Sequence, residues 1–290
     1  MRGSFHLHVD LKGLSFILNL LKLRSKNRII KILQITDTHL FKSSREKLLG
    51  ISTNDSFLEV VSNINKSQSE YDLVLITGDI SQDHTYESYE FFFHQIRSLK
   101  LPFVFIPGNH DEGIQLNNVI KQLKIEQYEQ VLINDSWQII LLDSQVKNEV
   151  NGGLSDRQLF SLEQNLESNS LFSLIALHHP PLECDCKWLD EHKFDNQHKF
   201  WSTIVNYSSK LKGIICGHIH QNYEKNHHDI KLLATPSTCI QFKPLSHEFC
   251  LDDKNPGWRV LELSPDGKLT SEVFRISNNN FLPDFESKGY

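Results

Sequence analysis

The chain has 290 residues, of which 39% are hydrophobic, enough for a substantial core in one large globular domain. Its formal net charge of -6 argues against a general nucleic-acid binder, whose footprint would be a basic patch or stripe. No repeat, low-complexity tract or Pro/Gly/Ser linker marks a second domain.

Residues 1–29 read as an N-terminal extension of uncertain order. Its apolar stretch Leu14 to Leu21 is far short of the roughly 20 residues a membrane span needs. It has no small-residue cleavage site, and Lys22, Arg24, Lys26 and Arg28 follow it, against a secretory signal. A short amphipathic helix, a disordered extension and a start site assigned too far upstream stay open.

A catalytic domain is expected over 30–290. Short Val, Ile, Leu and Phe runs at Ile30 to Ile35, Leu73 to Ile76, Phe103 to Ile106, Leu174 to Leu177 and Gly213 to Cys216 predict buried strands covered on both faces. Helices are predicted between them: Phe57 to Lys66, after the capping residues Asn54, Asp55 and Ser56, and Tyr86 to Leu99, with the apolar face Tyr89, Phe92, Phe93 and Ile96. Ser155-Asp156-Arg157-Gln158 fits a capping box opening a helix through Leu166. Near the end, Trp258 to Leu263 and Leu269 to Ile276 flank Ser264-Pro265-Asp266-Gly267, a hairpin turn. The fold class is therefore α/β.

Each predicted strand closes on a fragment rich in metal-ligand side chains: Asp37-Thr38-His39, Gly78-Asp79, Gly108-Asn109-His110-Asp111, Leu177-His178-His179-Pro180 and Gly217-His218-Ile219-His220. Taken singly, a Gly-Asp or Gly-Asn pair is a turn and a histidine before proline is a packed side chain. Five such fragments at strand ends, where α/β proteins place ligands, point instead to two adjacent metal ions. Such a pair, about 3.5 to 4 Å apart, neutralises phosphoryl oxygens, generates hydroxide and stabilises a leaving oxygen. It needs a bridging carboxylate, for which Asp79 is the candidate. Strand alternation would send Asp37 and His39 to one side, whereas a turn would aim His218 and His220 at different ions.

Five cysteines, Cys184, Cys186, Cys216, Cys239 and Cys250, form no framework spacing, which favours reduced thiols and a cytoplasmic setting. Cys184-Asp185-Cys186 lacks the second pair that a zinc site would need. Among the other histidines, His192, near Trp188-Leu189-Asp190, is a candidate for a pocket role.

In its five ordered fragments the chain resembles the calcineurin-like metallophosphoesterase superfamily. More closely, it resembles bacterial class III 3',5'-cyclic AMP phosphodiesterases, through Gln34 to Phe41, Leu141 to Val146, Trp188 to Asp190, Ala234 to Cys239 with Gln241 to Pro244, and Pro256 to Arg259. The resemblance runs from about Lys31 to Tyr290. It implies a four-layer α-β-β-α sandwich with a dinuclear site at strand ends. Asp37, His39, Asp79 and His220 would hold one ion; Asp79, Asn109, His178 and His218 would hold the other. His178 is chosen over His179 because the family position lies two residues before the proline. His110, with Asn109 and Asp111, would be catalytic: His110 beside the phosphate and leaving oxygen, Asp111 orienting it. His39, Asp79, Asn109, His110 and His220 would line the substrate.

The implied activity is hydrolysis of 3',5'-cyclic AMP to 5'-AMP by a hydroxide activated by two divalent ions, lowering cyclic AMP signalling. The resemblance suggests Fe2+ or Mn2+, and the all-N/O ligands also suit Zn2+. The partner would be a small cyclic nucleotide, with no nucleic acid and no membrane span; the oligomeric state is not legible. Two other readings are a broader phosphodiesterase or phosphomonoesterase, and a non-catalytic regulatory binding protein. Thr235 to Cys239 would either wall the substrate or connect strands.

Overall fold

The computed structural model describes residues 2–11, 14–24, 28–67, 69–111 and 113–289. In chain order the elements are β1 (Arg2–Leu11), β2 (Leu14–Leu23), β3 (Ile30–Ile35), α1 (Thr53–Lys66), β4 (Leu73–Thr77), α2 (Tyr86–Ser98), β5 (Phe103–Ile106) and α3 (Gly113–Leu123). There follow β6 (Gln130–Ile133), β7 (Trp137–Leu141), α4 (Asp156–Glu167), β8 (Phe172–Ala176), α5 (Lys187–Asp190), α6 (Gln197–Ile204), β9 (Leu211–Cys216), β10 (Tyr223–His227), β11 (Ile230–Ala234), β12 (Gly257–Leu263) and β13 (Leu269–Arg275).

The strands form two sheets. One has eight strands in the order β1-β2-β6-β7-β8-β9-β11-β10, the other five in the order β13-β12-β3-β4-β5. β3, β4 and β5 run parallel, as do β7, β8, β9 and β11. Alternation along each strand divides its side chains between two layers. In β3, Ile30 and Ile32 pack between the sheets with Leu75, Leu141, Leu174, Ile215 and Leu261. Leu33 and Ile35 face the other way, onto Phe57, Phe92 and Phe93 of α1 and α2 and Val119 of α3. The outer face of the larger sheet packs Ile140, Ile175 and Ile214 on Leu159 and Leu162 of α4 and Phe200 of α6. The result is the four-layer α-β-β-α sandwich.

The capping box on α4 is present in full, and β12 and β13 pair antiparallel across the expected turn. α1 begins earlier than its sequence predicts, at Thr53 with Ser52 as N-cap. The expected caps serve tertiary contacts instead: Asn54 bonds both backbone groups of Phe41, and the Ser56 hydroxyl donates to the Thr238 carbonyl.

The apolar stretch Leu14 to Leu21 is extended. β2 pairs antiparallel with β1, and its last four residues, Leu20 to Leu23, pair parallel with Gln130 to Ile133 of β6. Leu21 and Leu23 enter the layer between the sheets. A strand satisfies β6's otherwise open hydrogen-bonding edge and buries these leucines at once.

Candidate metal centre

All five ligand-bearing fragments meet at the carboxyl ends of β3, β4, β5, β8 and β9, three from the five-stranded sheet and two from the eight-stranded one. The local backbone is unusual. β3 stops at Ile35, and Asp37 and His39 have φ of 53° and 44°. Their convergence therefore comes from two left-handed residues and not from strand alternation. Asp79, His218 and His220 are left-handed too, at 52°, 70° and 50°. Each such residue costs on the order of 1 kcal/mol or more, and such strain gathers at functional sites.

Close approach of the loops depends on glycine. A Cβ on Gly108 would lie 2.2 Å from Asp79 Oδ1, and one on Gly78, whose φ is 97°, would lie 2.6 Å from the Gly108 nitrogen. The Asp111 carboxylate ties the same loops together. It accepts hydrogen bonds from the backbone N–H groups of Gly108 (2.9 Å), Ile80 (3.0 Å) and Ser81 (3.2 Å). These bonds place Asp111 in service of the loop backbone, so any orienting of His110 by them runs through the main chain. Burial, then the nearby Asp79 charge, raises the Asp111 carboxyl to about 7 against these donors.

Two half-sites share one carboxylate. In the first, His220 Nε2 lies 3.4 Å from Asp37 Oδ1 and 3.1 Å from His39 Nε2. In the second, His178 Nε2 and His218 Nδ1 each lie 3.1 Å from Asn109 Oδ1. Asp79 Oδ2 is between them, 3.6 Å from His39 Nε2 and 3.3 Å from His178 Nε2. His218 and His220 thus serve different half-sites. His178 faces Asp79 and Asn109, whereas His179 has its Nδ1 against the Ser144 hydroxyl at 2.8 Å.

The donor set fits metal ions. His39, His178 and His220 each anchor Nδ1 outward, on Gln82 Oε1 (2.7 Å), the Thr77 carbonyl (2.7 Å) and the Ile240 carbonyl (3.1 Å), leaving Nε2 for the centre. Such outer partners set the tautomer and orientation of a ligating imidazole. His218 is reversed: Nδ1 points inward, and its buried Nε2 has no hydrogen-bond partner. The electrostatics ask for cations. Burial, only partly offset by Asp79, lowers His39 to about 3. Burial also opposes charge on His178, yet Asp79 by charge and hydrogen bond raises it to about 9. A proton there compensates a buried carboxylate, as a metal ion would. Together the half-sites make a dinuclear site for divalent ions.

His110 sits beside this centre, its ring centroid 4.9 Å from that of His39, and its backbone N–H donates to Asp79 Oδ1 at 2.9 Å. His192 lines a small cavity of about 40 Å³ together with His218, Asp190 and Phe194. Sequence reading missed the supports. Gln145 Nε2 donates to the carbonyls of Gly108 (2.5 Å) and Asp111 (2.7 Å), and Phe242 stacks on His220 at 4.5 Å. Gln145 and Phe242 fall in family-like stretches, but no local pattern announces a role for them.

The sequence profile of the calcineurin-like phosphoesterases matches residues 30–222. A Vibrio vulnificus protein named 3',5'-cyclic adenosine monophosphate phosphodiesterase CpdA is 46% identical over 262 residues, 90% of this chain and 95% of its own. The Escherichia coli protein of the same name is 43% identical over the same shares. Among solved structures, a dimetal phosphatase from Danio rerio superposes with a TM-score of 0.60 at 15% identity, over 86% of this chain and all of its own; at that identity it bears on the fold alone. With the ligand fragments inside the matched segment and both sheets contributing to one centre, the chain belongs to the calcineurin-like phosphoesterase family.

Proposed function

We propose that this chain hydrolyses 3',5'-cyclic AMP to 5'-AMP and so lowers cyclic AMP signalling. The observation that carries the chemistry is the pair of half-sites meeting at Asp79 with the His110 imidazole beside them. The substrate comes from the names and high coverage of the Vibrio and Escherichia relatives.

Two divalent ions held by Asp37, His39, Asp79, Asn109, His178, His218 and His220 would supply Lewis acidity at the phosphoryl oxygens and a water nucleophile near neutral pH. The donor set is nitrogen and oxygen without thiolate, which suits Fe2+, Mn2+ and Zn2+ alike; Fe2+ or Mn2+ is proposed on the family resemblance. In the reaction a bond forms between water oxygen and phosphorus, the bond from phosphorus to the 3' oxygen breaks, and that oxygen takes up a proton. His110 is assigned to that proton. Its main-chain bond to Asp79 keeps the residue beside the bridging carboxylate. Asp111 acts by fixing the loop that carries Asn109 and His110.

No helix among the described residues is long and apolar enough to cross a membrane. Five free cysteines support our placement of the enzyme in the cytoplasm, and the charge of -6 supports a small nucleotide over nucleic acid as its partner. The catalytic domain would be residues 30–290, with the N-terminal hairpin an added edge. The test is turnover by Mn2+- or Fe2+-loaded protein of cyclic AMP, cyclic GMP, a glycerophosphodiester and 5'-nucleoside monophosphates. Preference for cyclic AMP by about tenfold or more supports the proposal. Equal rates across the panel would make the protein a broader phosphoesterase, and metal binding without turnover a regulatory binder.

A further inference from the structure

Behind the centre, the largely apolar layer between the sheets holds a connected set of polar side chains. Strand alternation puts Gln34 of β3, Thr77 of β4 and Arg259 of β12 on the same inward face as Ile32, Leu75 and Leu261. Gln34, Thr77 and Thr235 are wholly buried, and Arg259 is 2% exposed.

They are joined end to end. Arg259 Nε donates to Thr235 Oγ1 at 3.1 Å, Thr235 Oγ1 donates to Gln34 Oε1 at 2.5 Å, and Gln34 Nε2 donates to Thr77 Oγ1 and the Cys216 carbonyl, both at 2.9 Å. The other Arg259 donors go to Ser271 Oγ, Asn222 Oδ1 and the Ala234 carbonyl. Its hydrogen bonds thus all reach neutral oxygens. A buried guanidinium without a bonded carboxylate is costly to keep, and an apolar residue would fill the layer more simply.

The placement of the set gives it a use. Gln34 is three residues before Asp37, Thr77 two before Asp79, and Cys216 two before His218. The Thr77 carbonyl also holds His178 Nδ1. The Gln34 amide therefore bonds across the gap between the sheets, at the level where each hands its ligands to the centre. We infer that Gln34, Thr235 and Arg259 are positioning residues, a polar clamp that fixes the spacing of the two sheets and hence the closure of both metal half-sites, each of which takes ligands from both sheets. Metal ligation tolerates displacements of only about 0.2 Å, and loss of outer supports typically costs about 10- to 100-fold in metal affinity. Free sliding of one sheet by a few tenths of an ångström would be felt there first.

The inference rests on the two-ion reading above, and its test separates the two. Metal-free wild type, Thr235→Val, Thr235→Ser and Arg259→Lys are titrated with Mn2+ by calorimetry, and electron paramagnetic resonance spectra are recorded at full loading. Thr235→Val keeps the volume and removes the link; Thr235→Ser keeps the link. The expected result is that Thr235→Val binds Mn2+ about tenfold or more weaker and changes the spin-coupled Mn2+ spectrum, while Thr235→Ser stays within about twofold of wild type. Folded Thr235→Val with both affinities and the spectrum unchanged would overturn the inference, as would equal impairment of Thr235→Ser. If Thr235→Val does not fold, Arg259→Lys, which loses the bond to Thr235, carries the same expectation. Failure of both to fold would assign the set to stability alone and overturn it. Wild type that takes up fewer than two Mn2+ would sink the two-ion reading itself.

Discussion

At Asp79 the two half-sites converge: one carboxylate oxygen faces His39 and His178 while the other accepts the His110 amide. Asp79→Ala should therefore lower metal content below two equivalents and abolish turnover, whereas His39→Ala, which removes a ligand from one side, should retain partial loading. Two full equivalents by elemental analysis in Asp79→Ala would remove Asp79 from its bridging role. His110 is assigned to proton delivery and not to metal retention. His110→Ala should hold both ions yet lose roughly a hundredfold or more in turnover on cyclic AMP, the scale of a positioned acid or base. With a nitrophenyl phosphodiester, whose leaving group needs no proton, the deficit should shrink; equal losses on both substrates would reassign His110 to positioning.

Among the elements, the loops after the strands matter more to the centre than the strands themselves. The Gly108 loop is held by Asp111 on one side and Gln145 on the other, and it has no room for a Cβ against Asp79. Gly108→Ala should leave secondary structure by circular dichroism close to wild type and cut activity by more than tenfold, because the clash must be relieved by moving Asp79 or Asn109. A variant with wild-type Mn2+ affinity and turnover would show that the loop yields at no cost to the centre. The strands and helices around it were largely legible. Short Val and Ile runs bounded by turn signals read as buried strands, and Ser155 with Gln158 forms the reciprocal cap its spacing implies. The start of α1 was misplaced because Asn54 and Ser56 resemble caps, yet their side chains are taken by the Phe41 and Thr238 backbone.

For the whole molecule, the N-terminal hairpin extends a sheet that the candidate ligands use only at β8 and β9, separated from it by β6 and β7. Deleting residues 1 to 28 would expose the edge of β6 and remove Leu20, Leu21 and Leu23, which are buried. Each fully buried leucine is worth about 1.5 to 3 kcal/mol, and an open edge invites pairing between chains. The truncated protein should melt at a lower temperature and aggregate more readily, but bind two Mn2+ and keep kcat on cyclic AMP within about threefold. A folded, fully metallated truncation with a far larger loss in turnover would place the hairpin in the catalytic machinery.

The sequence by itself determined the chemistry of the centre, since Asp, Asn and His in five strand-end fragments are donors whatever their exact placement. Its apolar runs between turn signals also marked the buried strands and the α/β class; the four layers came only from the family resemblance. What only the tertiary structure decided is how those donors are aimed. That depends on left-handed backbone at Asp37, His39, Asp79, His218 and His220, and on partners distant in the chain, such as the Ile240 carbonyl behind His220 and Gln145 behind Gly108. Dihedral angles that strain a residue by about 1 kcal/mol are held by contacts between sheets, and such contacts leave no mark in local composition. The N-terminal stretch shows the same limit: its sequence left open a short amphipathic helix, a disordered extension or a start assigned too far upstream, whereas Leu14–Leu23 is a strand on the edge of β6.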